Sequence, residues 1–269
     1  PKMSIQVVRN EHARILVLNP NSSQSMTDGL NPVIKSVGLS PTTQVDTYTA
    51  PKPSPASINH GEDIDASFKT VWDTFFKDGS EPPAYDGILV ACFSVHPLVS
   101  QIDRHFPKVA VTGIFEASIL SAMSLASRFR GESWGIVTTG KFWEEHLSEG
   151  VAQHLGGAHS LGPDSTFAGV ESTGLNASDF HHGVDPAVVT KKIQEATLRL
   201  LDKRVSCIVM GCAGMAGLEA TIRGAASDKH GEKWAYETLH VVDGVRAGLV
   251  QVDQMIKNFR LRRQPGRQT

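Results

Sequence analysis

Two cysteines stand 120 residues apart in similar settings: Cys92 in "DGILVACFSVHPL" (Asp86–Leu98) and Cys212 in "SCIVMGCAGMAGL" (Ser206–Leu218). Each ends an apolar, strand-like run and precedes residues suited to a tight turn and a helix start. An unperturbed thiol has a pKa of about 8.5, and its thiolate is a usable base and nucleophile. Backbone N–H groups at a helix start favour the anion, so both cysteines are expected to carry thiolate character. Ser94, Ala213 and Gly214 are small enough to admit a ligand to that backbone, whose N–H groups can hold a carbonyl as it becomes an enolate. A thiolate on one face of a carbon acid and a thiol on the other make a two-base proton exchange. The first removes the proton and the second supplies one to the opposite face. The reverse reaction exchanges their protonation states, which gives both residues a reason to be present. No metal, flavin or pyridoxal is needed where adjacent carbonyls acidify the carbon.

The elements that must position these sulfurs repeat along the chain. A shift of 120 positions lays Ile88 over Ile208, Leu89 over Val209, Ala91 over Gly211 and Leu98 over Leu218. The same shift sets "ILVLNPN" (Ile15–Asn21) against "GIVTTGK" (Gly135–Lys141), and a slightly larger one pairs "VTGIFEA" (Val111–Ala117) with "VDGVRAG" (Val242–Gly248). Short apolar runs alternating with helical patterns predict buried parallel strands and crossover helices. The strands are expected at Arg14–Leu18, Gln44–Thr49, Gly87–Ala91, Val109–Thr112, Trp134–Thr138, Cys207–Gly211 and His240–Asp243, with a weaker one near Ala158–Gly162. Helices are expected at Ile64–Lys77, Phe115–Phe129, Lys141–His154, Pro186–Lys203 and Gly244–Arg260, and "NSSQS" (Asn21–Ser25) offers caps for another. The predicted fold is α/β, with two pseudo-symmetric lobes at 1–118 and 119–269, each a mainly parallel sheet flanked by helices. The C-terminal helix has the option of crossing to the first lobe. Ligands of open α/β sheets bind beyond the carboxyl ends of the strands, which puts both cysteines at one cleft.

Composition narrows the partners. In 269 residues, 40% hydrophobic and 20% charged with a net charge of −2, nothing creates a field for nucleic acid or an anionic membrane. The basic tail "RLRRQPGRQT" is short and reads as solvated. Without a signal-peptide core or an apolar run of about 20 residues, a cytoplasmic protein is expected. Three cysteines make no disulfide framework, and Cys207 and Cys212, five apart on a strand-like run, face opposite sides. Cys207 duplicates Gly87 and reads as packing.

Other signals are weaker. "GCAGMAG" lacks the G-x-G-x-x-G order of a dinucleotide turn, and the adjacent histidines of "FHHG" (Phe180–Gly183) suit a solvated loop better than one metal. His96, four residues past Cys92, reads as a cap or surface group before it reads as a thiolate tuner. Glu116 suits the start of a helix, the aromatics of Lys141–Trp143 suit a core, and "APKPSPAS" (Ala50–Ser57) reads equally as an ordered loop or lid over the cleft and as a simple exposed connector.

With these residues in order, the chain resembles the aspartate/glutamate/hydantoin racemase superfamily, in its hydantoin and allantoin racemase branch. The resemblance runs through "ILVLNPNSSQSMT" (Ile15–Thr27), "ASI" (Ala56–Ile58), "DGILVACFS" (Asp86–Ser94), "VTGIFEAS" (Val111–Ser118), "WGIVTTGKFW" (Trp134–Trp143), "CIVMGCAGM" (Cys207–Met215) and "VVDGVRAG" (Val241–Gly248). It implies two pseudo-symmetric domains around a cofactor-independent site, with Cys92 and Cys212 as the acid/base pair. It also implies a pocket lined by Asn19, Ile58, Phe93, Ser94 and Thr138, with backbone donors at Ala213 and Gly214, no metal, a cyclic ureide substrate and a homo-oligomer. Past Cys92 this chain has Val95 and His96 where many members carry an acidic and a small residue. Relatives with one of the two cysteines include decarboxylases, so the pair favours proton exchange. The rival readings are an isomerase or racemase of open-chain amino or dicarboxylic acids, whose pocket would offer more cationic or hydroxyl donors, and a ligand-binding homologue without activity.

Overall fold

A computed structural model describes residues 12–76, 85–162, 165–180 and 183–263. It contains two four-stranded, wholly parallel sheets. The first is built from β1 (Ala13–Asn19), β2 (Thr43–Thr49), β3 (Gly87–Val90) and β4 (Ala110–Gly113), in the order β2-β1-β3-β4. The second is built from β5 (Ser133–Thr138), β6 (Phe167–Ser172), β7 (Val205–Gly211) and β8 (His240–Asp243), in the order β6-β5-β7-β8. Shifting every strand number by four turns one order into the other, the topology that the repeated sequence implies.

Between the strands run α1 (Gln24–Ser36), α2 (Gly61–Val71), α3 (Pro97–His105), α4 (Ile114–Leu125), α5 (Phe142–His154), α6 (Pro186–Asp202), α7 (Glu219–His230) and α8 (Glu232–Glu237), and α9 (Gly244–Arg263) follows β8. Ser23 caps α1, its hydroxyl accepting the Met26 N–H. β3 and β4 are buried along their whole length, as strands covered on both faces must be. The expected division after residue 118 falls within α4, which packs against α9. α9 itself lies on the first sheet: a Cβ on Gly248 would come within 2.3 Å of Leu89, and one on Gly87 within 2.4 Å of Val252. Only glycine permits that approach of helix to strand. One core cluster joins the halves, including Val17, Leu89 and Phe93 from the first and Trp134, Trp143 and Val209 from the second.

One expected element is corrected. Ala158–Leu161 is a 3₁₀ turn, following Gly156 and Gly157 at φ of 100° and 119°, and the strand lies further on at Phe167–Ser172. Gly169, at φ 109°, interrupts the apolar pattern of that strand and hides it in the sequence. The predicted helix Ile64–Lys77 is α2 running into a π-turn at Trp72–Phe76. The predicted helix Phe115–Phe129 stops at Leu125, before a 3₁₀ turn at Arg128–Arg130.

Candidate active site

Cys92 follows β3 and Cys212 follows β7, at the carboxyl ends of the central strands of their sheets. Both are free and partly accessible, and both line one cavity between the halves. Cys207 is fully buried within β7. Of the remaining expected lining residues, Ile58, Phe93 and Ala213 also form the wall.

The other four stand behind it. Asn19 is buried, and its Nδ2 donates to Asn21 Oδ1 at 3.0 Å and Thr27 Oγ1 at 2.9 Å while its Oδ1 accepts the Asn21 N–H. Asn21 reaches the cavity instead. Thr138 is spent on the carbonyl of Gly211 at 2.8 Å, and Thr139 takes its place in the wall. Ser94 is buried beside Cys92, and the Gly214 N–H points at the Cys212 sulfur.

Sequence reasoning missed Met26, Trp143 and Ala177 as wall residues. The aromatic of "GKFW" carried a signal, since Trp143 is buried as expected and also lines the cavity. Ala177 carried none: it arrives on a 3₁₀ turn whose N–H donates to Asn59 Oδ1 at 3.4 Å across the halves. The loop Ala50–Ser57 is ordered, with Ser54 Oγ donating to the Pro20 carbonyl and the Ser22 N–H to that of Pro55, and it delivers Ile58 to the wall.

The sulfurs do not show the expected lowered pKa. Burial pushes the Cys92 thiol up to about 12, aided by charge on Cys212 and Glu116 and opposed by the Ser94 hydroxyl 3.3 Å away. Burial also pushes Cys212 up, to about 11, against the N–H groups of Gly214 and Met215. Desolvation outweighs the turn donors at both sites. A thiolate formed here is a strong base, and charge on one sulfur holds the proton on the other.

His96 is a cap. It is buried at the start of α3, where Nδ1 accepts the Leu98 N–H at 3.2 Å, so Nε2 carries the proton and donates to Ser67 Oγ at 3.0 Å. Burial lowers its pKa to about 3. Glu116 lies in the first turn of α4, and its Oε2 is sealed from solvent with no hydrogen-bond partner among the described residues. Among the described residues no cluster of three or more His, Cys, Asp or Glu side chains could hold a metal; His181 and His182 lie outside them. No described helix is long and apolar enough to cross a membrane.

Residues 15–252 match the family Asp/Glu/Hydantoin racemase. The chain belongs to that family. Membership makes it an isomerase of the racemase type. It is 32% identical over 246 residues to an uncharacterised protein of Schizosaccharomyces pombe, covering 91% of this chain and 92% of the other. It is 27% identical over 237 residues to a hydantoin racemase of Pseudomonas sp. strain NS671, covering 88% and 83%. In three dimensions it shares the fold of an allantoin racemase from Klebsiella pneumoniae, with a TM-score of 0.72, 23% identity and coverage of 91% and 88%.

Proposed function

We propose that the protein is a cofactor-independent racemase of a cyclic ureide, a 5-substituted hydantoin or allantoin, with Cys92 and Cys212 as its two bases. The observation that carries this reading is that the two sulfurs reach one cavity from equivalent turns of the duplicated fold. The thiolate of one cysteine takes the proton from the ring carbon that bears the substituent, a carbon made acidic by the adjacent ring carbonyl. The thiol of the other delivers its proton to the opposite face, and the product leaves with the protonation states of the pair exchanged. While the carbon is planar, its negative charge rests on the carbonyl oxygen, for which Ala213 in the cavity wall offers its backbone N–H.

The wall supports a neutral ring. Apart from the reacting sulfurs none of its residues carries a charge; Asn21 and Thr139 supply polar side chains, and Met26, Ile58, Phe93 and Trp143 supply apolar surface. An open-chain dicarboxylate would leave its carboxylates without a cation there, at the cost of burying unpaired charge. The relatives named hydantoin racemase and allantoin racemase point the same way.

The test is to follow the optical activity of single enantiomers of allantoin and of several 5-substituted hydantoins, beside aspartate and glutamate. Decay with a ureide and none with the amino acids is expected. Binding of a ureide without decay would leave a ligand-binding homologue and refute the racemase.

A further inference from the structure

The two halves place a carboxyl differently beneath their cysteine turns. In the sheet registers Gly113 of β4 pairs with Val90 and Asp243 of β8 pairs with Met210, each partner two residues ahead of a cysteine. Asp243 is buried and fully engaged. Its Oδ1 accepts the N–H groups of Val245 and Arg246 at the start of α9, at 2.9 and 3.0 Å. Its Oδ2 accepts the Gly217 N–H at 3.3 Å, closing the turn that follows Cys212.

The equivalent residue of the first half has no side chain, and a carboxyl from the next helical turn fills the space. A Cβ on Gly113 would lie 2.3 Å from Glu116 Oε2 and 3.1 Å from Val99 Cγ2, so Glu116 folds back over the end of β4. That strand is hydrogen-bonded to the one that ends at Cys92. Oε2 is sealed and unpartnered among the described residues, whereas both oxygens of Asp243 are satisfied. Burial raises the Glu116 carboxyl to about 7, against the backbone N–H groups of Glu116 and Gly113. The charged groups that bear on the Cys92 sulfur are Cys212 and Glu116, and the influences on Cys212 are burial and two N–H donors.

We infer that Glu116 is a positioning residue for the proton of Cys92: its buried carboxyl opposes negative charge on that sulfur and leaves Cys212 as the base of the resting pair. The inference rests on the two-thiol reading above and gives it a direction. Cys92 waits as the acid, and Cys212, which accepts the Gly214 N–H, waits as the base. A racemase has an equilibrium constant of one, so kcat/KM is equal for the two enantiomers. The bias shows in kcat and KM taken separately.

Site-resolved labelling by iodoacetamide, read by peptide mass spectrometry at pH 8 without substrate, tests it, because alkylation follows the thiolate. In the wild type Cys212 should label faster than Cys92. In Glu116→Gln, labelling of Cys92 should rise by about threefold or more, the change made by half a pKa unit, with Cys212 unaltered. The kcat values of the two enantiomers should also draw together. Glu116→Asp, which keeps the charge, should preserve the wild-type order. An unchanged Cys92 rate in the Gln variant, or an equal rise at both cysteines, overturns the inference. If that variant does not fold, Cys92 labelling as fast as Cys212 in the wild type overturns it instead. Normal ureide racemisation with unchanged labelling removes this inference alone. Accelerated Cys92 labelling in a protein that racemises no ureide supports it and removes the substrate reading.

Discussion

Past β3 the Cys92 sulfur meets a side-chain hydroxyl, that of Ser94 at 3.3 Å; past β7 the Cys212 sulfur accepts a backbone N–H, that of Gly214 at 3.3 Å. The second arrangement follows from the chain trace, because a 3₁₀ turn at Ala213–Met215 starts directly on Cys212. The first half delays its helix to Pro97, caps it with His96 and leaves Cys92 without such a donor. Duplication has thus kept the position of the sulfur and changed its support. A two-base racemase needs equal reach to both faces of its substrate, and it tolerates unequal partners behind the two bases.

The largest effect should come from removing either sulfur. Cys92→Ser and Cys212→Ser should each lower the racemisation rate by about 10²–10⁴-fold, the usual worth of a positioned acid or base. Cys207→Ser, buried in β7 away from the cavity wall, should leave the rate of folded enzyme unchanged. Wild-type rates in either of the first two variants would break the equivalence of the two turns.

Next comes the hydroxyl. Ser94→Ala removes the hydrogen bond that pulls the Cys92 thiol down. At about 1 kcal/mol for such a bond, roughly a fivefold loss of kcat is expected. The backbone donor at Gly214 has no side chain to delete, so the comparison predicts greater mutational tolerance around Cys212. Steady-state kinetics of Ser94→Ala beside Ala213→Gly would show it.

The smallest effect is on stability against pH. Folded His96 stays neutral down to about pH 3, and an unfolded histidine takes its proton near 6.5, so its contribution is complete above 6.5 and lost as pH falls. Glu116 runs the other way. Its contribution is complete below the ordinary 4.5 and lost as pH rises through about 7. The two slopes offset between these ordinary values. Thermal unfolding of His96→Asn should therefore show stability falling as pH rises through that window, and Glu116→Gln should show it falling as pH drops. Parallel curves in both variants would contradict the assignment.

Much of this was legible in the sequence because parallel strands buried on both faces are written as apolar runs. β8 is found at its expected bounds, and the repeat at Cys92 and Cys212 anticipates the shared strand order. Apart from β6, strand ends were legible to within a residue or two. The wall was not, since Asn19 and Thr138 point to the protein and their neighbours Asn21 and Thr139 to the cavity. Alternation along a chain that is turning cannot be read from spacing. The thiols failed for another reason: a turn donor is visible locally in sequence, whereas desolvation comes from residues far along the chain, such as Ile58 and Trp143. α3, α7 and α8 carry too short or too polar an apolar pattern to stand out.

The central claim is that two sulfurs act on opposite faces of one carbon, and the origin of the hydrogen in the product reads this directly. One enantiomer of a racemised ureide is incubated in D₂O, and the first few per cent of product is separated on a chiral column and weighed, with uncatalysed exchange subtracted. The account predicts that the product carries solvent deuterium at the ring carbon while the remaining substrate retains its protium. Product that keeps the substrate's own hydrogen would mean that a single base removes and returns it, and would contradict the account.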